Sequence, residues 1–166
     1  MNYEIVQLDE FDGKIASIYS IMLEGEDSTL FDQFIYDYNS IYPDEILSIL
    51  TLIKQMNCKL GVRENLIKIE EGKPGDGVIA VYDNPDKKLR LYGIRLGSGI
   101  LILGDGGEKD KSIRAWQEDD ILKDSAELMI EIREQISQRI KNREISFSDD
   151  YNEIEGDLNF INNDYE

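Results

Sequence analysis

The stretch from Gly72 to Arg114 constrains this chain most, because it packs three strand signals between turns too short to allow anything but local pairing. The β-branched and apolar runs are Val78–Tyr82, Lys88–Arg95 and Ile100–Leu103. Asn84-Pro85-Asp86 separates the first two, and Gly97-Ser98-Gly99 the last two. Proline fixes one torsion and glycine supplies positive φ, so both separators are turn chemistry. Sequential antiparallel pairing follows, and the stretch reads as a three-stranded meander. On the middle strand Arg90, Tyr92 and Ile94 alternate with Leu91, Gly93 and Arg95. Neither set is wholly apolar, which predicts that one face stays open to solvent or a ligand.

The rest of the chain supplies material to cover a sheet. Tyr3–Leu8 alternates, and Asp12-Gly13 precedes Lys14–Leu23, the pattern of an N-terminal hairpin. Asp27-Ser28-Thr29 can cap a helix over Leu30–Tyr38, where Leu30, Phe34, Ile35 and Tyr38 share a face. Pro43-Asp44-Glu45 opens a second helix, with Ile46, Leu47, Leu50, Ile53 and Met56 at helical spacing and an end near Gly61. Arg63–Glu71 fits a short helix or a strand equally well. A third helix spans about Asp120 to Lys141, striped by Leu128, Ile132, Ile136 and Ile140. The expected fold class is therefore α+β: a small antiparallel sheet, meander plus hairpin, packed with helices. Residues 1–143 form one domain, and 144–166 an acidic tail.

Charge narrows the partners. The net charge is −17, a mean field that repels polyanions and anionic membranes. It is uneven, for residues 86–114 sum to +3 and the last 23 residues hold eight acids and no cation. That tail is either disordered or docked, since Ile145, Phe147, Ile154, Leu158, Phe160 and Ile161 lie among the acids. The lone Cys58 fits a reducing compartment and reads as a small buried apolar residue. With neither a secretory signal nor a long apolar run, a cytoplasmic protein without membrane contact is expected. Histidine is absent, which removes the commonest general base and the usual Ser-His and Cys-His pairs.

No metal or cofactor is expected. Gly104-Asp105-Gly106-Gly107 lacks the phosphate-loop and dinucleotide patterns and reads as a flexible turn. Asp105, Glu108 and Asp110 miss calcium-loop spacing and have Lys109 and Lys111 among them. The basic set is more informative. A tight turn at Gly97–Gly99 returns the third strand beside the second, so Lys109 and Lys111 emerge near Arg90. Arg90, Lys109, Lys111 and Arg114 can then form one phosphate-sized patch, with Arg95 leaving the opposite face. The residues alone favour the blander reading, a solvated rim on which these cations offset neighbouring acids.

The segments KPGDGVIAVYDN, KLRLYGIRLGSGILILGDGGEKDKSIRAWQEDD and EGDLNF resemble the RelE/HigB-type toxins of toxin–antitoxin pairs, and more narrowly a Bacteroidetes group of them. The resemblance covers about residues 72–135. It implies a helix-turn-helix antitoxin as partner, mRNA on the ribosome as substrate, and metal-independent endoribonuclease activity. It also implies that Arg90, Lys109 and Lys111 contact RNA phosphates, with Arg114 as a looser addition; Arg95 joins the phosphate-binding candidates from the basic set alone. Arg90, Lys109, Lys111 and Tyr92 are the catalytic candidates. A lysine would act as base, its pKa lowered by neighbouring cations, helped by Tyr92. The alternative is a non-catalytic interaction protein on the same scaffold, whose acidic surface binds a basic partner.

Overall fold

The computed structural model describes residues 1–67, 77–109 and 120–161. Strand β1 (Tyr3–Gln7) and strand β2 (Ser17–Leu23) pair antiparallel, Tyr3 opposite Leu23 and Gln7 opposite Tyr19. Helix α1 (Leu30–Tyr38) starts where Thr29 accepts the Asp32 amide, the cap expected of that residue. Helix α2 (Pro43–Gln55) begins on its proline and runs into one π-helical turn, Met56–Leu60. The ambiguous stretch opens as a 3₁₀ turn at Glu64–Leu66, and its remainder lies outside the described residues.

The meander forms as its turns require: β3 (Val78–Tyr82), β4 (Leu89–Leu96) and β5 (Ile100–Glu108) pair antiparallel in sequence order. The sheet as a whole is mixed, however, and not antiparallel. Its order is β1-β2-β5-β4-β3, and β2 runs parallel to β5 with Ser17 opposite Ile100 and Ser20 opposite Leu103. The α1–α2 excursion carries the chain from β2 to the far edge, and the meander walks back until β5 meets β2 side by side.

Both faces of this sheet are covered, so the expected open face does not exist. On one side Phe31, Phe34, Ile46, Ile49 and Ile53 of α1 and α2 pack on Ile79, Val81, Leu91, Leu101 and Leu103. On the other, α3 (Asp120–Lys141) lays Leu122, Met129, Ile132 and Ile136 on Val78, Tyr92, Ile94, Ile100 and Ile102. The stripe of α3 is thus centred one row from the expected one, with Met129 buried and Leu128 on its shoulder. Leu47 of α2 and Cys58 both face solvent instead of the core.

After α3 a two-stranded sheet, β6 (Ile145–Phe147) with β7 (Ile154–Gly156), joins the α3-side core through Ile145 and Ile154, and Phe160 beyond it joins the same core. The backbone then runs along the β1 edge. Ile5 donates to Leu158 O at 2.9 Å, and Phe160 donates to Tyr3 O at 2.8 Å. The Phe160 ring stacks on Tyr3 at 4.6 Å, with the Arg139 guanidinium 3.6 Å above its centre. An edge that would otherwise offer unpaired amides is closed by this segment.

Candidate functional site

Two bulges shape the end of the sheet where β3 and β5 finish and β4 begins. Opposite Leu91–Gly93 the β5 strand runs from Gly106 to Leu103, one residue longer than β4 needs. Opposite Leu91–Tyr92 the β3 strand likewise carries one extra residue between Ala80 and Tyr82. Bulges bend a strand and re-aim its side chains, and they recur beside functional sites. Gly104-Asp105-Gly106-Gly107, expected as a turn, is the bulged part of β5 itself. Glycine is needed there for contact reasons. A Cβ on Gly104 would stand 2.3 Å from Met129 Sδ, and one on Gly106 would stand 1.9 Å from the Arg90 carbonyl oxygen.

The bulges bring three strand ends together on one carboxylate. Asp83 follows β3, Arg90 opens β4, and Lys109 follows β5. Arg90 Nε donates to Asp83 Oδ2 at 3.1 Å, and Lys109 Nζ donates to Asp83 Oδ1 at 2.7 Å. Lys109 Nζ also donates to Asn84 O at 2.7 Å. Arg90 Nη1 reaches the Tyr92 hydroxyl at 3.3 Å. The side chains of Asp83, Arg90 and Lys109 are 6%, 9% and 12% exposed, so water screens these charges little.

Of the expected phosphate-binding set, then, Arg90 and Lys109 meet, with Tyr92 beside them. Arg95 does not join. It leaves the other face, where Nε donates to Val62 O at 2.8 Å and Nη1 lies 3.7 Å from Glu64 Oε1. Lys111 and Arg114 lie outside the described residues. Of the solvated-rim picture one half holds, for Arg90 and Lys109 are offset by an acid, Asp83, and one half does not, for all three side chains are nearly closed to solvent.

Asp83 is the residue that sequence reasoning missed. As the last acid before a turn it carries no motif, and only the register of the bulged strands sets it beside Arg90. Glu45 also does more than its position suggests. By sequence an acid complementing the α2 dipole, it is buried and accepts from Lys88 N and Leu89 N at 3.1 Å and from Tyr82 OH at 3.2 Å. These bonds fix the entry of β4, one residue before Arg90. Burial, together with the Glu45 charge and hydrogen bond, pushes the Tyr82 hydroxyl up to about 12.

A cleft of about 580 Å³ opens beside Asp83, between α2, the Asn65–Ile67 turn and β3. Leu52, Leu66, Ile67 and Val81 give it apolar walls, and Ser48, Asn65, Asp83 and Asn84 give it polar ones. Such a volume is ordinary for a small-ligand site. Among the described residues no group of three or more acids and cysteines is placed to hold a metal ion, and no helix is long and apolar enough to cross a membrane. Compared with known proteins, the chain matches no family model, no curated protein and no solved structure.

Proposed function

We propose that the chain is a RelE/HigB-like toxin of a toxin–antitoxin pair, a metal-independent mRNA endoribonuclease neutralised by a helix-turn-helix antitoxin. The observation that carries this reading is the meeting of Arg90 and Lys109 on one two-oxygen acceptor. The non-bridging oxygens of a phosphodiester present the same fork as the oxygens of a carboxylate. In the reaction the RNA 2′-hydroxyl attacks its own 3′-phosphate and the 5′-oxygen leaves, giving a cyclic phosphate and a free 5′-hydroxyl. Arg90 and Lys109 hold the extra phosphoryl charge, an effect on the order of 3 kcal/mol per well-placed donor. Lys109 already donates to two acceptors at 2.7 Å. The base role given to a lysine therefore falls to Lys111, with Tyr92 assisting. Expression in cells tests this. Wild type should arrest growth and leave mRNA ends bearing 5′-hydroxyls, and Arg90→Ala or Lys109→Ala should cut cleavage about 100-fold. Equal arrest and cleavage by wild type and both variants would rule the mechanism out.

A second reading is favoured by one specific fact: both cations already have a carboxylate, in a molecule of net charge −17. On that reading the protein binds a basic partner and cleaves nothing. The discriminating result is wild-type protein that leaves RNA intact at every concentration while it captures a small basic partner at low salt and loses it at high salt.

A further inference from the structure

We infer that Asp83 is an internal occupant of the phosphate seat, a carboxylate latch that RNA must displace before Arg90 and Lys109 can hold a phosphodiester. The inference rests on the phosphate reading of those two cations and adds a means of regulation to it. Three observations support it. Each oxygen of Asp83 takes one cation, Oδ2 from β4 and Oδ1 from beyond β5, so the carboxylate fills the fork that a phosphodiester would fill. The exchange conserves charge, because a phosphodiester brings the same single negative charge that Asp83 withdraws. The carboxylate also has somewhere to go. Asp83 stands just past the end of β3, so its side chain can rotate without disturbing the β3–β4 ladder. It already lines the 580 Å³ cleft, where the side-chain amides of Asn65 and Asn84 provide donors to receive it.

A latch of this kind makes a resting molecule in which Arg90 and Lys109 are held together yet closed to an outside anion. It would keep a basic pair inside so acidic a chain from binding polyanions indiscriminately. Only an RNA bound by other contacts as well would raise the local phosphate concentration enough to exchange for a tethered carboxylate.

The test measures binding of the full chain to a short single-stranded RNA over a range of salt. Asp83→Asn keeps the shape and one acceptor but removes the charge. It should bind at least about tenfold more tightly than wild type. Its plot of log affinity against log salt should be steeper by about 0.7, the seat having gained one net positive charge. Asp83→Glu, which restores the charge, should return both values to those of wild type. A merely structural Asp83 would lower stability in Asp83→Asn without changing the salt slope. If wild type binds RNA through Lys109, as Lys109→Met would reveal, yet Asp83→Asn binds no more tightly, the latch is wrong and the phosphate seat stands. If neither wild type nor Asp83→Asn binds RNA, the phosphate seat falls and the latch with it. Should Asp83→Asn not fold, Asp83→Ser removes the same charge with a smaller side chain and is read the same way.

Discussion

Glu45 occupies a position where an acid is commonplace, the first turn of a helix, yet its carboxylate is buried against the start of β4. Two backbone amides and a phenol satisfy it, so removing its charge weakens three hydrogen bonds in one place. We predict that Glu45→Gln costs about 1–3 kcal/mol in urea denaturation, since a buried group loses part of its hydrogen bonding. Tyr82 gives the same contact a pH signature. Its folded-state pKa is raised from 10.0 to about 12, so its contribution is complete below pH 10 and is lost as pH rises through 12. Stability should fall over that window, and Tyr82→Phe should make the fall shallower, leaving the part due to Tyr42, which titrates there too; an unchanged slope would mean that Tyr82 does not contribute to it. Arg90 and Lys109 were legible in the sequence because both flank strand runs that tight turns hold together. Asp83 was not legible, because a bulge inside β3 sets its register and no residue pattern announces that bulge.

At the level of elements, what turns dictate locally was readable and what packing dictates at a distance was not. Pro85 and Gly97–Gly99 fixed the meander. The N-terminal hairpin formed, but its second strand begins at Ser17 and not at Lys14, because Gly13 sits in a wider loop tied to Asn57. Nothing local specifies which edges of the two units meet. The parallel β2–β5 pair is a tertiary outcome, made where the apolar faces of α1 and α2 close over both units. The glycines of β5 misled for a related reason: they read as a turn, and they serve the close approach of Met129 and of the Arg90 carbonyl. The acidic C-terminal segment shows the same limit. Arg139 gathers it by donating to Asp157 O at 2.9 Å and Asn159 O at 2.6 Å, while covering the ring of Phe160. We predict that Phe160→Ala costs about 3 kcal/mol by losing a buried aromatic and its stack. Arg139→Ala should open the 157–161 stretch to limited proteolysis while the sheet stays protected from hydrogen exchange. Equal resistance of wild type and Arg139→Ala would show that Phe160 alone holds the segment.

Across the whole molecule the acids repel one another, and that repulsion acts differently on the surface and inside. Salt screens exposed charges within about 10 Å at 0.1 M and about 3 Å at 1 M, whereas the Asp83 cluster is nearly closed to solvent. The melting temperature should therefore rise by several degrees between low and high salt; a fall would mean that local ion pairs outweigh the net field. Asp105 ties that field to a single group. Its carboxyl is pushed above the ordinary value of 3.8 chiefly by burial, with Asp37 adding to the rise and the Gly106 amide opposing it. The folded chain therefore takes up this proton at a higher pH than the unfolded chain does. The contribution of neutral Asp105 is complete below pH 3.8 and is lost as pH rises through its folded-state value, so at neutral pH the fold carries a half-buried charge it does better without. Asp105→Asn keeps an acceptor for the Gly106 amide and removes that charge. It should raise the melting temperature at pH 7, and the gain should vanish as pH falls below about 3.8, where wild type is neutral there too. A gain that persists in acid would trace the effect to packing at the β5 bulge, since protonation could no longer distinguish the two chains.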